Sequence, residues 1–219
     1  MKIKNAKYIA PLIVVVVLLV VYFLKKSENK PPLILPHYGP KSLLNKSDTV
    51  FHTIKNFSFK NQHNEIITHK NIEGKIFVCD YFFTTCKSIC PIMSNQMERV
   101  QEAYKNNATV LILSHTVNPE EDSVDVLNQY AIYHKAIKGK WHFLTGNKVD
   151  LYKQARVSYL LDAEEGNGGE EDFIHTDKFA LVDWNGTIRG YYTGIDSIEV
   201  SKLIVDIKIL LAEKEWKKN

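Results

Sequence analysis

The body of this chain lacks a basic excess. Residues 1–30 hold six lysines against one acid, Glu28, which leaves 22 basic and 24 acidic residues in the rest. That balance gives no electrostatic footprint for nucleic acid and assigns the basic pI to the N-terminus. Glycine and proline are too scarce for a collagen-like or low-complexity chain. They number ten and seven of 219 residues, beside 45% apolar and 11% aromatic content, which is the composition of a globular protein. Internal repeats are missing, and the one biased tract is the acidic, Gly-rich stretch 162–172. Small residues are missing after the apolar run 8–24, where Tyr22-Phe23-Leu24-Lys25 stands. This favours an uncleaved anchor over a cleaved signal peptide. No cysteine follows that run at once, which argues against a lipoprotein anchor. No Arg-rich and Ser-rich presequence is present, which favours a bacterial membrane over an organelle.

What is there divides into three parts. Residues 1–25 form an expected signal anchor: Ile13 to Val21 is continuously apolar, flanked by Lys2, Lys4 and Lys7 before and Lys25 and Lys26 after. The short N-terminal tail favours its staying in the cytoplasm, so the C-terminal domain faces the outer, periplasmic or extracytoplasmic side. Residues 26–50, with Pro31, Pro32, Pro36 and Pro40, read as a semi-rigid linker. Residues 51–219 have the length of one domain with a substantial core.

Within that domain strand and helix signals alternate. Ile76 to Phe83 is apolar on both alternating faces, as in a central strand covered from both sides, and Val110-Leu111-Ile112-Leu113 is a second. Between them Met93, Met97, Val100 and Tyr104 fall at helical spacing, which makes a βαβ unit. Ser123 caps a helix through Leu127, Tyr130 and His134, and Asn147 caps another through Leu151, Ala155 and Tyr159. Phe179 to Val182 and Ile188 to Tyr192 flank Asn185-Gly186, a hairpin signal. Asp196 and Glu199 then resemble a capping pair for a last helix with Val200, Leu203, Ile204, Ile207 and Leu211 on its apolar face. This order is that of an α/β, thioredoxin-like sandwich.

The chemistry lies in Thr84-Thr85-Cys86-Lys87-Ser88-Ile89-Cys90-Pro91, where the first central strand hands over to a helix. Residues four apart on a helical turn have Cβ atoms about 5–6 Å apart, near enough to share a metal or to form a disulfide after small adjustment. A helix N-terminus favours the thiolate, which both attacks disulfides and binds metals. Pro91 fits just inside a helix. The three-residue spacer departs from a CxxC pair and leaves two ligands in search of a third. Thiolates with an imidazole suit copper, and Cu(I) is content with three ligands where structural zinc takes four. A permanent bridge across so short a loop would be a poor staple for the domain. By position, His115 at a strand end and His175 after the Gly166-Asn167-Gly168-Gly169 loop are both open as the third ligand.

These residues resemble the SCO/SenC family, copper chaperones of cytochrome c oxidase assembly. Phe83 to Pro91 looks like its Cys-xxx-Cys-Pro motif, and Asn118-Pro119-Glu120-Glu121-Asp122 resembles its Asp-Pro-x-x-Asp loop with Asn in first place. Trp141-His142-Phe143-Leu144-Thr145-Gly146 is similar to its Trp-x-x-Leu-Thr-Gly segment, and Asp172 to Thr176 to the segment with the metal-binding histidine. The resemblance implies a thioredoxin-like fold, an N-terminal anchor, and copper, Cu(I) or Cu(II), on Cys86, Cys90 and His175. Its implied partners are the copper-site subunit of cytochrome c oxidase and a thiol reductant able to reset the pair. The family often has Asp before its ligand histidine; here Ile174 stands there, so an orienting carboxylate must come from Asp172, Asp177 or elsewhere. A thiol-disulfide oxidoreductase, with Cys86 attacking and Cys90 resolving, uses the same thiols and is the alternative expectation. A peroxidase is a weaker third, motivated by the fold alone.

The remaining candidates read as structure. Cys79 lies mid-strand among large apolar residues and is expected to be an inert core thiol, and Met93 and Met97 to be core fillers. The acidic stretch is expected to be a solvated loop, with docking to a basic partner patch as its functional reading.

Overall fold

The computed structural model describes residues 11, 13–20, 33–43, 49–161, 174 and 176–217. Residues 13–20 form α1, an exposed helix. Among the described residues no helix is long and apolar enough to cross a membrane, and the remainder of the expected anchor lies outside them.

Two short strands, β1 (Lys41–Leu43) and β2 (Thr49–Phe51), pair with each other ahead of the domain. The main sheet comprises β3 (Ser58–Asn61), β4 (Ile66–Thr68), β5 (Ile76–Phe82), β6 (Val110–Thr116), β7 (Trp141–Thr145), β8 (Lys178–Val182) and β9 (Ile188–Thr193). Its order is β4-β3-β7-β6-β5-β8-β9. The central strands β5, β6 and β7 run parallel, with Phe82 opposite Thr116, and antiparallel strands close both sides. The helices are α2 (His69–Ile72), α3 (Cys90–Tyr104), α4 (Val124–Tyr133), α5 (Lys148–Lys153), which runs on as a π-helical turn Gln154–Tyr159, and α6 (Ser197–Trp216).

Strand alternation sorts the core into two. One cluster joins Val78, Phe82, Ile112 and Trp141 to Met93, Met97 and Val100 of α3, Leu127 of α4, and Leu203 and Ile207 of α6. The other joins Phe77, Cys79, Tyr81, Leu111 and Leu113 to Leu151, Tyr152, Ala155 and Tyr159. The parallel β5-α3-β6 unit is therefore as read from sequence, with both strands buried along their whole length because helices cover both faces. The caps also stand where expected: Ser123 accepts from the Val126 amide, Asn147 from Asp150, and Asp196 from Ile198.

Two features differ from expectation, and the hairpin adds detail to it. The segment read as a semi-rigid linker is docked on the domain at residues 35–38. Leu35 is buried, the Tyr38 amide donates to the Ile188 carbonyl, and Arg189 donates to the carbonyls of Leu35 and Pro36. Proline content gives an extended chain but does not decide whether that chain's carbonyls find a donor. The β8-β9 hairpin is as read from sequence, with Asn185-Gly186 inside its turn. The Asp183 carboxylate accepts the amides of Asn185 and Thr187, and Gly186 takes a φ of +75° that favours glycine. On α6 the buried face runs through Leu210 rather than Leu211 and takes in Asp206 and Glu213, whose partners are Tyr192 and Arg189 of β9.

Candidate metal centre

Cys86 and Cys90 lie beyond the C-terminal end of β5, where the chain turns into α3. Pro91 occupies the first turn of that helix, and its missing N–H costs nothing there. The Cys86 amide donates to the Phe83 carbonyl at 3.3 Å, closing a turn over Thr84 and Thr85. This curl brings the Cys86 Sγ over the helix start, where it accepts from the Cys90 amide at 3.4 Å and lies 3.6 Å from the Ser88 Oγ. Both cysteines are free thiols.

Their environments pull the two apart. Burial pushes Cys86 up, but hydrogen bonds from the Cys90 thiol, the Ser88 and Cys90 backbone and the Ser88 hydroxyl outweigh it, and its pKa falls to about 7. Cys90 is more deeply buried, and desolvation together with its hydrogen bond to Cys86 pushes it up to about 12. One thiol is a ready thiolate and the other a held proton, so the pair can open on a soft metal or an incoming disulfide from the Cys86 side.

The other candidates are placed by the sheet. Cys79 points into the second cluster and is fully buried, and desolvation raises its pKa well above the ordinary value. Met93 and Met97 are core residues of the first cluster. His115 lies on the second face, stacked on Tyr81 with ring centroids 4.9 Å apart and edged by Phe57, Phe59 and Tyr159. Burial lowers its pKa to about 3, and its Nδ1 has no hydrogen-bond partner. It faces away from the thiols, across the sheet. His175, Asp172 and the acidic tract lie outside the described residues. Ile174, next to His175, is buried in the second cluster, and Asp177 pairs with Lys178 at 3.3 Å. Among the described residues no group of three His, Cys, Asp or Glu side chains could hold a metal ion.

Two polar arrangements around the thiols escaped the sequence reading. On the first face of the sheet the Ser114 hydroxyl donates to Asp80 at 2.6 Å and accepts from the Trp141 indole at 2.9 Å. Asp80 interrupts an otherwise apolar strand, and that interruption was its visible signal. Beside the Cys86 turn, Asp122 accepts from Thr84 and Thr116, and only the Asn-Pro-Glu-Glu-Asp loop pointed to it.

A parallel-centred sheet with helices on both faces, and a CxxxC dithiol at a strand-to-helix turn, define a thioredoxin-like α/β protein built for thiol or soft-metal chemistry. The SCO1/SenC family model matches residues 45–211, and the chain belongs to that family. It is 28% identical over 162 residues to the SCO1 protein homolog of Bacillus subtilis, covering 74% of this chain and 84% of that one. Its fold is similar to that of BsSco, described as having a disulfide switch and as a member of the Sco family of cytochrome c oxidase assembly proteins. That match has a TM-score of 0.62 at 27% identity and covers 73% of this chain and 93% of that one. Copper-bound structures occur in the family. Bradyrhizobium japonicum ScoI with copper bound shares the fold at a TM-score of 0.57 and 20% identity, over 72% of this chain and 99% of that one.

Proposed function

We propose that this protein is a membrane-anchored copper metallochaperone. It holds copper on Cys86, Cys90 and His175 and passes it by ligand exchange to the binuclear copper site of cytochrome c oxidase during assembly. Residues 1–25 anchor it, residues 26–50 link anchor to domain, and residues 51–219 carry the cargo on the outer side of the membrane. The observation that carries this reading is the pair of free thiols gathered on one helix start, where the Cys86 Sγ accepts the Cys90 amide at 3.4 Å, an arrangement that favours thiolate at Cys86 over Cys90. Copper is cargo here, so the site must release as well as hold. The Cys86 thiolate, the less deeply buried of the two, can be reached by an incoming thiol before Cys90 lets go. Membership of the SCO1/SenC family and the copper-bound relatives support the same assignment.

The same asymmetry supports a second reading, thiol-disulfide exchange that keeps the target's copper-ligand cysteines reduced. Cys86 thiolate attacks a target disulfide, forming a mixed disulfide and releasing one target thiolate. Cys90 then displaces the second, leaving a Cys86–Cys90 disulfide for a thiol reductant to reset.

Cu(I) titration of the reduced full-length protein against a competing chelator, with Cys86→Ser and His175→Ala in parallel, tests both. One tight equivalent, weakened in each variant, is the expected result. Binding equal to wild type in Cys86→Ser refutes the chaperone reading. Weak binding unaffected by His175→Ala, with disulfide exchange retained, moves the oxidoreductase to first place.

A further inference from the structure

Asp122 is a carboxylate with 1% of its surface exposed, in the loop between β6 and α4. All the donors found on it are neutral. Both oxygens lie 3.3 Å from the Thr84 amide, Oδ1 also accepts the Thr84 hydroxyl, and Oδ2 accepts the Thr116 hydroxyl. Burying a charge is costly, and an uncharged side chain would tie two loops together at less expense. What the charge adds is stronger hydrogen bonds with fixed direction.

The grip has a fixed end and a working end. Thr116 is set in the sheet by its pairing with Phe82, and the next amide, Val117, donates to the Phe82 carbonyl at 2.8 Å. Thr116 Oγ1 also accepts the Asn118 amide at 2.9 Å, while the Asp122 amide donates to the Asn118 carbonyl. The carboxylate is thus built into the framework. Its other partner, Thr84, sits inside the Phe83–Cys86 turn, two residues before the Cys86 thiol. Pinning Thr84 at both amide and hydroxyl fixes that turn, and the turn decides whether the Cys86 Sγ meets the Cys90 amide.

We propose that Asp122 is a positioning residue for the dithiol, holding the Thr84 turn so that Cys86 lies on the start of α3 and thereby setting copper affinity and dithiol–disulfide poise. This rests on the reading of Cys86 and Cys90 as the functional pair.

The test uses full-length wild type, Asp122→Asn, Thr84→Val and Thr84→Ser. Three quantities are measured: Cu(I) affinity by chelator competition, the equilibrium constant of the metal-free pair against a glutathione buffer, and the melting temperature. Asp122→Asn turns an amide toward donors, and Thr84→Val removes one hydroxyl at constant shape. Each should weaken Cu(I) binding about tenfold and move the exchange constant about tenfold toward disulfide, about 30 mV for this two-electron couple. Thr84→Ser keeps the hydroxyl and should stay within about twofold of wild type. A merely structural clamp would lower the melting temperature and leave affinity and exchange constant unmoved, which overturns the proposal. Equal defects in Thr84→Val and Thr84→Ser also overturn it. If Asp122→Asn fails to fold, the threonine pair decides alone. Failure of wild type to bind Cu(I) refutes the chaperone reading, while the exchange constants still judge the clamp.

Discussion

Replacing Asp80 by Asn should make the protein more stable above neutral pH and less sensitive to pH on the acid side. Asp80 sits at the centre of β5 with essentially no exposed surface, and its hydrogen bond comes from the Ser114 hydroxyl. Burial pushes its pKa from 3.8 to about 7, the Ser114 bond opposing the shift without cancelling it. The folded chain therefore holds a proton between about pH 4 and pH 7 that the unfolded chain has lost. Stability falls as pH rises through that window and levels off above it. At 1.36 kcal/mol per pH unit, the interval is on the order of 4 kcal/mol. Asn has the same shape and can accept from Ser114, but its buried N–H donors need partners, a cost of about 1–3 kcal/mol. The net gain at pH 8 should be about 1–3 kcal/mol, turning to a loss near pH 4. His115 and His142 act the other way. Burial lowers them to about 3 and about 4, so their contribution is present above the ordinary histidine value and is lost as pH falls. Comparing variant with wild type cancels the histidines. Urea unfolding of both reduced proteins at pH 4.5, 6 and 8 gives the difference directly. A difference that does not change with pH, or an Asn variant relatively less stable at pH 8 than at pH 4.5, would refute the assignment of a protonated buried carboxyl.

Arg189 is buried between Asp183, at 2.9 Å, and Glu213, at 2.7 Å. Arg189→Ala leaves the buried Asp183 carboxylate with backbone amides but no cation and Glu213 with Lys217 alone, and should cost about 3–5 kcal/mol in urea unfolding. It should also release the docked segment, read as new proteolytic cuts within residues 33–40. In the reduced protein at pH 7, iodoacetamide should modify Cys86 well before Cys90, and Cys79 only on unfolding, since thiolate character and access both follow that order. Peptide mapping that finds Cys90 labelled first would contradict it.

Local patterns were legible in the sequence and long-range polar pairing was not. Met93, Met97 and Val100 announced α3 because a helix repeats its buried positions every three or four residues. Ser123 and Asn147 announced their caps because the partner amide lies three residues on. The CxxxC motif was readable for the same reason, being one contiguous turn. Asp206 and Glu213 each have a lysine four residues away on α6, Lys202 and Lys217, but their burial rests on Tyr192 and Arg189 of a different element, which local spacing does not announce. The docking of residues 35–38 was hidden likewise, because Arg189 reaches carbonyls more than 150 positions away. Asp80 and Asp122 belong to this group: each is an acid whose meaning depends on a hydroxyl in a neighbouring strand or loop.

Strand parity explains why similar residues near the site have different fates. Successive side chains in β5 and β6 point to opposite faces, so Cys79 and Asp80 part company, as do Ser114 and His115. The odd pair, Cys79 and His115, enters the aromatic second cluster with Tyr81 and Tyr159, where desolvation holds both uncharged. The even pair, Asp80 and Ser114, faces the first cluster, which Cys86 and Cys90 join from beyond the strand end. A metal needs a thiolate and a neutral imidazole that can meet without displacing packed aromatic rings. Parity denies that meeting to His115, whose ring is enclosed on the far side of the sheet. The two thiols that escape parity are those placed after Phe82, where the strand has ended and the start of α3, rather than the pleat, decides where a side chain points.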